Sequence, residues 1–161
     1  MRGKVWIVDI DDTLTISQNE NPTTDAEWEA MFANAKPNLP LIYKLQSVVA
    51  VCDIIVICTG RKEKNRAVTK SWLDKFMVYH DLLMRDDSDN RSPVDVKRDL
   101  YQQIKKSYDG YPLAVIDDDD NVRRMAWAEM TMFALHPTHA ASALVSSSEV
   151  HASEFKPLTK L

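Results

Sequence analysis

Glycine is scarce, at three residues in 161. None belongs to a G-x-x-x-x-G-K-[ST] loop, so the chain carries no kinase-type phosphate cradle. Cysteine is scarcer still. Cys52 and Cys58 lie in or beside an apolar run, the setting of small buried thiols in a reducing compartment rather than of a secretory disulfide. Long hydrophobic runs are missing. Near the N-terminus only Val5 to Val8 is unbroken, short of the ~7–15 residues of a signal-peptide core. Nothing approaches the ~18 residues that read as membrane-spanning. Nor does one sign of charge dominate: 20 Lys and Arg against 24 Asp and Glu give a net charge of −4, without the global positive field of many nucleic-acid binders. A soluble, cytoplasmic protein with no membrane partner is the expectation.

What is present is globular in character, with 45% hydrophobic and 27% charged residues. Short apolar runs at Lys4–Val8, Asp53–Cys58, Asp81–Met84, Leu113–Ile116 and Met130–Leu135 read as buried strands. Helical patterns fall between them, at Asp25–Ala35, Leu39–Val51, Glu63–Val78, Pro93–Tyr108 and Asn121–Glu129. This alternation predicts a doubly wound, Rossmann-like α/β fold, a parallel five-stranded sheet with helices on both faces. Residues 1–161 read as one domain, with its core at about 4–136 and an irregular, peripheral tail over 137–161. Trp6, Trp28, Trp72 and Trp127 each fall within an expected element, which favours core packing over base stacking.

In an open α/β sheet, ligands bind outside the carboxyl ends of the strands. The first expected strand ends in Asp9-Ile10-Asp11-Asp12-Thr13, the second in Cys58-Thr59-Gly60-Arg61, the fourth in Asp117-Asp118-Asp119-Asp120. One such acid is explained by capping a helix or solvating a turn. Several on one rim are not, because clustered carboxylates repel one another unless a cation joins them. Hard oxygen ligands in a partly open site suit Mg²⁺.

The same residues carry a resemblance. Asp9-Ile10-Asp11-Asp12-Thr13 resembles the D-x-D-x-T motif of the haloacid dehalogenase (HAD) superfamily. Thr59 closing an apolar strand, Lys97, and the Asp117-Asp118 pair resemble its second, third and fourth motifs, in the expected order. The resemblance implies a Mg²⁺-dependent phosphohydrolase of HAD type. Asp9 would be the nucleophile that forms an aspartyl-phosphate, and Asp11 the general acid and base. Asp9, Asp11 (through its carbonyl), Asp117 and Asp118 would hold the metal. Thr59 and Lys97 would hold the phosphoryl oxygens, with Asp12, Thr13 and Gly60 beside them.

Space for a cap is small: residues 14–36 and 85–96 hold no full cap domain, and an open crevice admits an extended substrate. Thr59-Gly60-Arg61, Arg66-x-x-Thr69-x-x-Trp72, Met84, Arg91 and Val122-x-x-Met125 are similar to the phosphatase domain of phage-type polynucleotide kinase/phosphatase. That implies removal of 3′-phosphates from nucleic-acid ends, with Arg61 and Arg66 on the phosphates. The chain departs from that pattern at Pro93 and Val94, where paired acids are usual, and at Asp12, where glycine is common. A nucleoside monophosphate or another small phosphomonoester is the alternative substrate, and a non-catalytic Mg²⁺/phosphate-binding regulator is the alternative of another class. Hydrolase and phosphotransferase are not separated by these residues.

Overall fold

The computed structural model describes residues 3–49 and 52–143. Five runs rich in Val, Ile and Leu form one sheet, because β-branched residues pack well on a pleated, buried surface. They are β1 (Val5–Val8), β2 (Ile54–Lys62), β3 (Asp81–Arg85), β4 (Leu113–Ile116) and β5 (Phe133–Leu135). Every pairing is parallel and the order is β3-β2-β1-β4-β5. The chain starts at β1, builds outward to β3, then returns to β4 on the other side of β1. The crevice between β1 and β4 is therefore the switch point where such sheets take their ligands.

Alternate residues of each strand face opposite sides. Trp6, Val8, Ile55, Ile57 and Ile116 pack under α2 (Leu39–Val49) and α3 (Arg66–Phe76), along with Leu41, Leu45, Trp72 and Leu73. Ile7, Val56, Cys58 and Val115 face α4 (Pro93–Ser107) and α5 (Asp120–Met130), against Tyr101, Ile104 and Met125. Both faces are covered, as a wholly parallel sheet requires. A further helix, α1 (Asp25–Ala33), precedes α2 and is started by a capping box between Thr24 and Glu27. At the end of the sheet away from the switch point, Asp53 accepts hydrogen bonds from Lys4 N and Trp6 Nε1, both at 2.8 Å.

Several boundaries differ from the sequence expectation. β2 continues past Cys58 to Lys62, with a register shift against β3 between Thr59 and Lys62, so Thr59, Gly60 and Arg61 are strand residues. β5 begins at Phe133, three positions later than expected, because Met130 still packs as part of α5. That helix ends at Thr131 in the left-handed region (φ 56°), where Met132 N bonds back to Ala126 O at 3.0 Å. Residues 137–143 are not irregular: they form α6 (Pro137–Ala143), and Ala140 is fully buried in the core. The rest of the expected tail, 144–161, lies outside the described residues. Trp6 and Trp72 are core residues, but Trp127 is 64% and Trp28 38% exposed. Trp127 falls on the outer face of the amphipathic α5, while Trp28 packs its ring against Phe32 and leaves the rest open.

Candidate active site

Asp9 follows β1 directly, its N–H bonded to Ile116 O of β4 at 3.0 Å, and is nearly buried at 6% exposure. The next residues make a tight turn, Ile10–Leu14, in which Asp12 takes φ 58°. Aspartate tolerates that left-handed geometry better than most residues. Thr15 fixes the turn: its Oγ1 accepts from Asp12 N at 3.1 Å and donates to Ile10 O at 3.2 Å. Thr13 is fully buried and donates to Asp118 Oδ1 at 3.4 Å.

Across the switch point, β4 delivers Asp117 (fully buried) and Asp118 (half-buried). Asp117 Oδ1 accepts from Asp119 N at 3.0 Å, and Arg123 donates to the Asp117 and Asp118 carbonyls at 2.8 and 2.5 Å. Asp9, Asp117 and Asp118 each offer a carboxylate oxygen within 4.8 Å of the others. From α4, capped by Ser92 with Pro93 in its first turn, Lys97 reaches in. Its Nζ lies 2.9 Å from Asp9 Oδ1 and also pairs with Asp117. Tyr101, one turn on, donates to Asp117 Oδ2 at 3.4 Å.

Burial pushes the Asp9 carboxyl well above the usual range, against the pull of Lys97. Asp118 is raised chiefly by burial, then by Asp117. Burial would lower the Lys97 ammonium, but Asp9 and Asp117 outweigh it and hold it charged. When all are ionised, three carboxylates face one ammonium. The surplus of negative charge on hard oxygens fits a divalent cation of the Mg²⁺ kind.

Asp11 does not join this trio. Its carboxylate takes a two-pronged ion pair from Arg61, Nη2 to Oδ1 at 2.7 Å and Nε to Oδ2 at 3.0 Å. Arg61 is 4% exposed, bonds Thr69 Oγ1 at 3.3 Å, and has the Phe32 ring 3.9 Å from its guanidinium carbon. Thr59 is fully buried and accepts from Arg61 N at 3.2 Å, with Gly60 between them. Arg66 is placed elsewhere: its guanidinium pairs with Glu63 and bonds Leu82 O at 3.2 Å. Sequence reading missed Tyr101 and Phe32. The i, i+4 spacing from Lys97 was a usable signal for Tyr101; none existed for Phe32, which meets Arg61 only through the fold.

A doubly wound sheet with acids converging at its switch point is the arrangement that the HAD resemblance implies. The chain matches the family described as the polynucleotide kinase PNKP phosphatase domain over residues 3–136, and it belongs to that family. Among solved structures it is similar to a chain of the "Pnkp1/Rnl/Hen1 complex" (23% identity, TM-score 0.72, covering 84% of this chain and 46% of that one). A "Pnkp1/Rnl/Hen1 RNA repair complex" matches at the same identity and TM-score, with 42% of that chain covered. This chain thus spans less than half the length of both. The HAD domain of the effector protein Lem4 from Legionella pneumophila shares the fold at 13% identity and a TM-score of 0.54, over 95% of this chain and 94% of that one. No curated protein matches the chain. Among the described residues, no helix is long and apolar enough to cross a membrane.

Proposed function

We propose that the domain is a Mg²⁺-dependent phosphomonoesterase that removes 3′-phosphates from nucleic-acid ends through an aspartyl-phosphate on Asp9. The observation that carries the reading is the convergence of Asp9, Asp117 and Asp118 within 4.8 Å at the switch point, with Lys97 Nζ 2.9 Å from Asp9. Asp9, Asp117 and Asp118 would hold Mg²⁺, and the ion would neutralise phosphoryl charge during transfer. Membership of the polynucleotide kinase phosphatase family supports a nucleic-acid end as substrate.

The chemistry follows from the residues. An Asp9 oxygen attacks phosphorus, forming the Asp9–phosphorus bond while the bond to the sugar oxygen breaks. Asp11 gives its proton to that leaving oxygen, then takes one from the water that attacks the phospho-Asp9. The second step releases inorganic phosphate and restores both carboxyl groups. Arg61 holds Asp11 as a carboxylate through its two-pronged contact, so Asp11 must release one of those bonds to carry the proton, and the Thr59 hydroxyl and Lys97 ammonium steady the phosphoryl oxygens.

The test is phosphate release from a 3′-phosphorylated oligonucleotide and from a nucleoside 5′-monophosphate, with Mg²⁺ or EDTA. Release from the oligonucleotide should be faster, abolished by EDTA and by Asp9→Asn. Release from the mononucleotide alone would move the domain to nucleotide metabolism. Undiminished release by Asp9→Asn would overturn the covalent mechanism.

A further inference from the structure

Beside the acid cluster lies a cavity of about 360 Å³ that the chemistry above leaves unused. Asp11, Gly60 and Arg61 form its inner side; Ile16, Trp28 and Phe32 form its apolar side. Ile16 is 54% exposed and Trp28 38%, so the apolar wall is open rather than part of the packed core. The Trp28 and Phe32 rings lie 5.6 Å apart with 42° between their planes. Phe32 in turn covers Arg61, which grips Asp11. A row of planar groups therefore runs from the exposed indole to the carboxylate placed next to the leaving oxygen. Gln18 also lines the cavity, its Nε2 donating to Asn34 O at 3.4 Å.

We infer that this cavity is the subsite for the base of the terminal nucleotide, stacked on Trp28. The inference rests on the nucleic-acid reading given above. Asp11, which the proposed chemistry sets beside the leaving oxygen, also lines the cavity together with Arg61, so a phosphate held at Asp9 leaves its nucleoside next to it. The volume lies in the range of small-ligand pockets, which run from about 300 Å³. Stacking on an aromatic face is tolerant of sequence. The depression on the other side of Trp28, lined by Lys62 and Lys64, is a weaker choice for the base. Its cations are already engaged, Lys62 with Asp87 O and Asn90 and Lys64 with Asp25.

The experiment compares kcat/KM on two DNA strands, both 3′-phosphorylated, one ending in an ordinary nucleoside and one in an abasic tetrahydrofuran residue. Glycerol 2-phosphate serves as the base-free ester. The native chain should favour the intact end about tenfold, as loss of one base–aromatic stack implies. In Trp28→Ala that ratio should fall to about one, and Trp28→Phe should keep most of it. A ratio within one preparation is insensitive to the fraction folded, and the native and Trp28→Phe ratios carry the test should Trp28→Ala misfold. Equal rates on the two ends in the native chain, or an unchanged ratio in Trp28→Ala, would overturn the base site and leave the end-phosphatase reading standing. Release from glycerol 2-phosphate but from neither strand would overturn the end-phosphatase reading, and the base site with it.

Discussion

Lys97 shows how far one residue's surroundings set its worth. A lysine on a helix is ordinarily solvated, yet here the ammonium is 4% exposed between Asp9 and Asp117. Removing one partner of a buried charge group leaves the others uncompensated. Lys97→Met should therefore destabilise the metal-free protein by about 3–5 kcal/mol, read from urea unfolding in EDTA, and Mg²⁺ should recover part of the loss. A loss below ~1 kcal/mol would mean that the two carboxylates are protonated or hydrated when Lys97 is gone. Asp12 is the second case. Its φ of 58° is easy for glycine, tolerable for aspartate and poor for a β-branched residue. Asp12→Val should cost about 1–2 kcal/mol while Asp12→Gly holds stability. Equal unfolding midpoints for the two variants would show that the turn relaxes.

Elements carry the next layer. Strand cores were legible because short unbroken apolar runs rich in β-branched residues mark them locally: Leu113–Ile116 is the strand that the sequence predicts, end to end. Ends were less legible. β2 runs on to Lys62 because β3 lies alongside to accept it, with Lys62 opposite Arg85, and no local pattern reports a neighbouring strand. The tail is the larger miss. Pro137–Ala143 is poor in large apolar residues, so it reads as periphery, but a small residue is what close helix packing needs. Ala140 is fully buried in the core cluster that also holds Leu41, Ile42 and Leu45 of α2. Ala140→Leu should overpack this contact and cost about 1–3 kcal/mol by thermal or urea unfolding. A neutral effect would make α6 a loosely docked appendage.

At the scale of the whole molecule, the switch point joins the ends of β1 and β4 through charge. The folded protein holds protons on Asp9 and Asp118 more tightly than the unfolded chain does, since burial raises both. Metal-free stability from these groups is thus present at low pH. It is lost as pH climbs from the usual carboxylate range through the raised values. Mg²⁺ needs the same groups ionised, so its effect runs the other way. In melts with Mg²⁺ and with EDTA, the rise in Tm should be larger at pH 8 than at pH 5. At a Mg²⁺ concentration of 100 times its Kd the gain is about 2.7 kcal/mol. Asp118→Asn should shrink that gain, and an equal Mg²⁺ effect at both pH values would break the link between the buried carboxylates and the metal.

The sequence by itself determined the strand–helix alternation and which strand ends bear acids, because hydrophobic periodicity and Asp-rich strand termini are written in neighbouring residues. It therefore put Asp9, Asp117 and Asp118 just past strand ends and Lys97 on a helix, where the structure has them. Only the tertiary structure decided which side chains meet. Asp11 turns to Arg61 while Asp9, Asp117 and Asp118 converge, Phe32 covers Arg61, Arg66 is taken by Glu63 and Leu82, and Trp28 stays open beside Asp11. Apart from the local Arg66–Glu63 pair, those partners come from elements distant in the chain. Their pairing is set by sheet order and helix placement, quantities that no local stretch of sequence encodes.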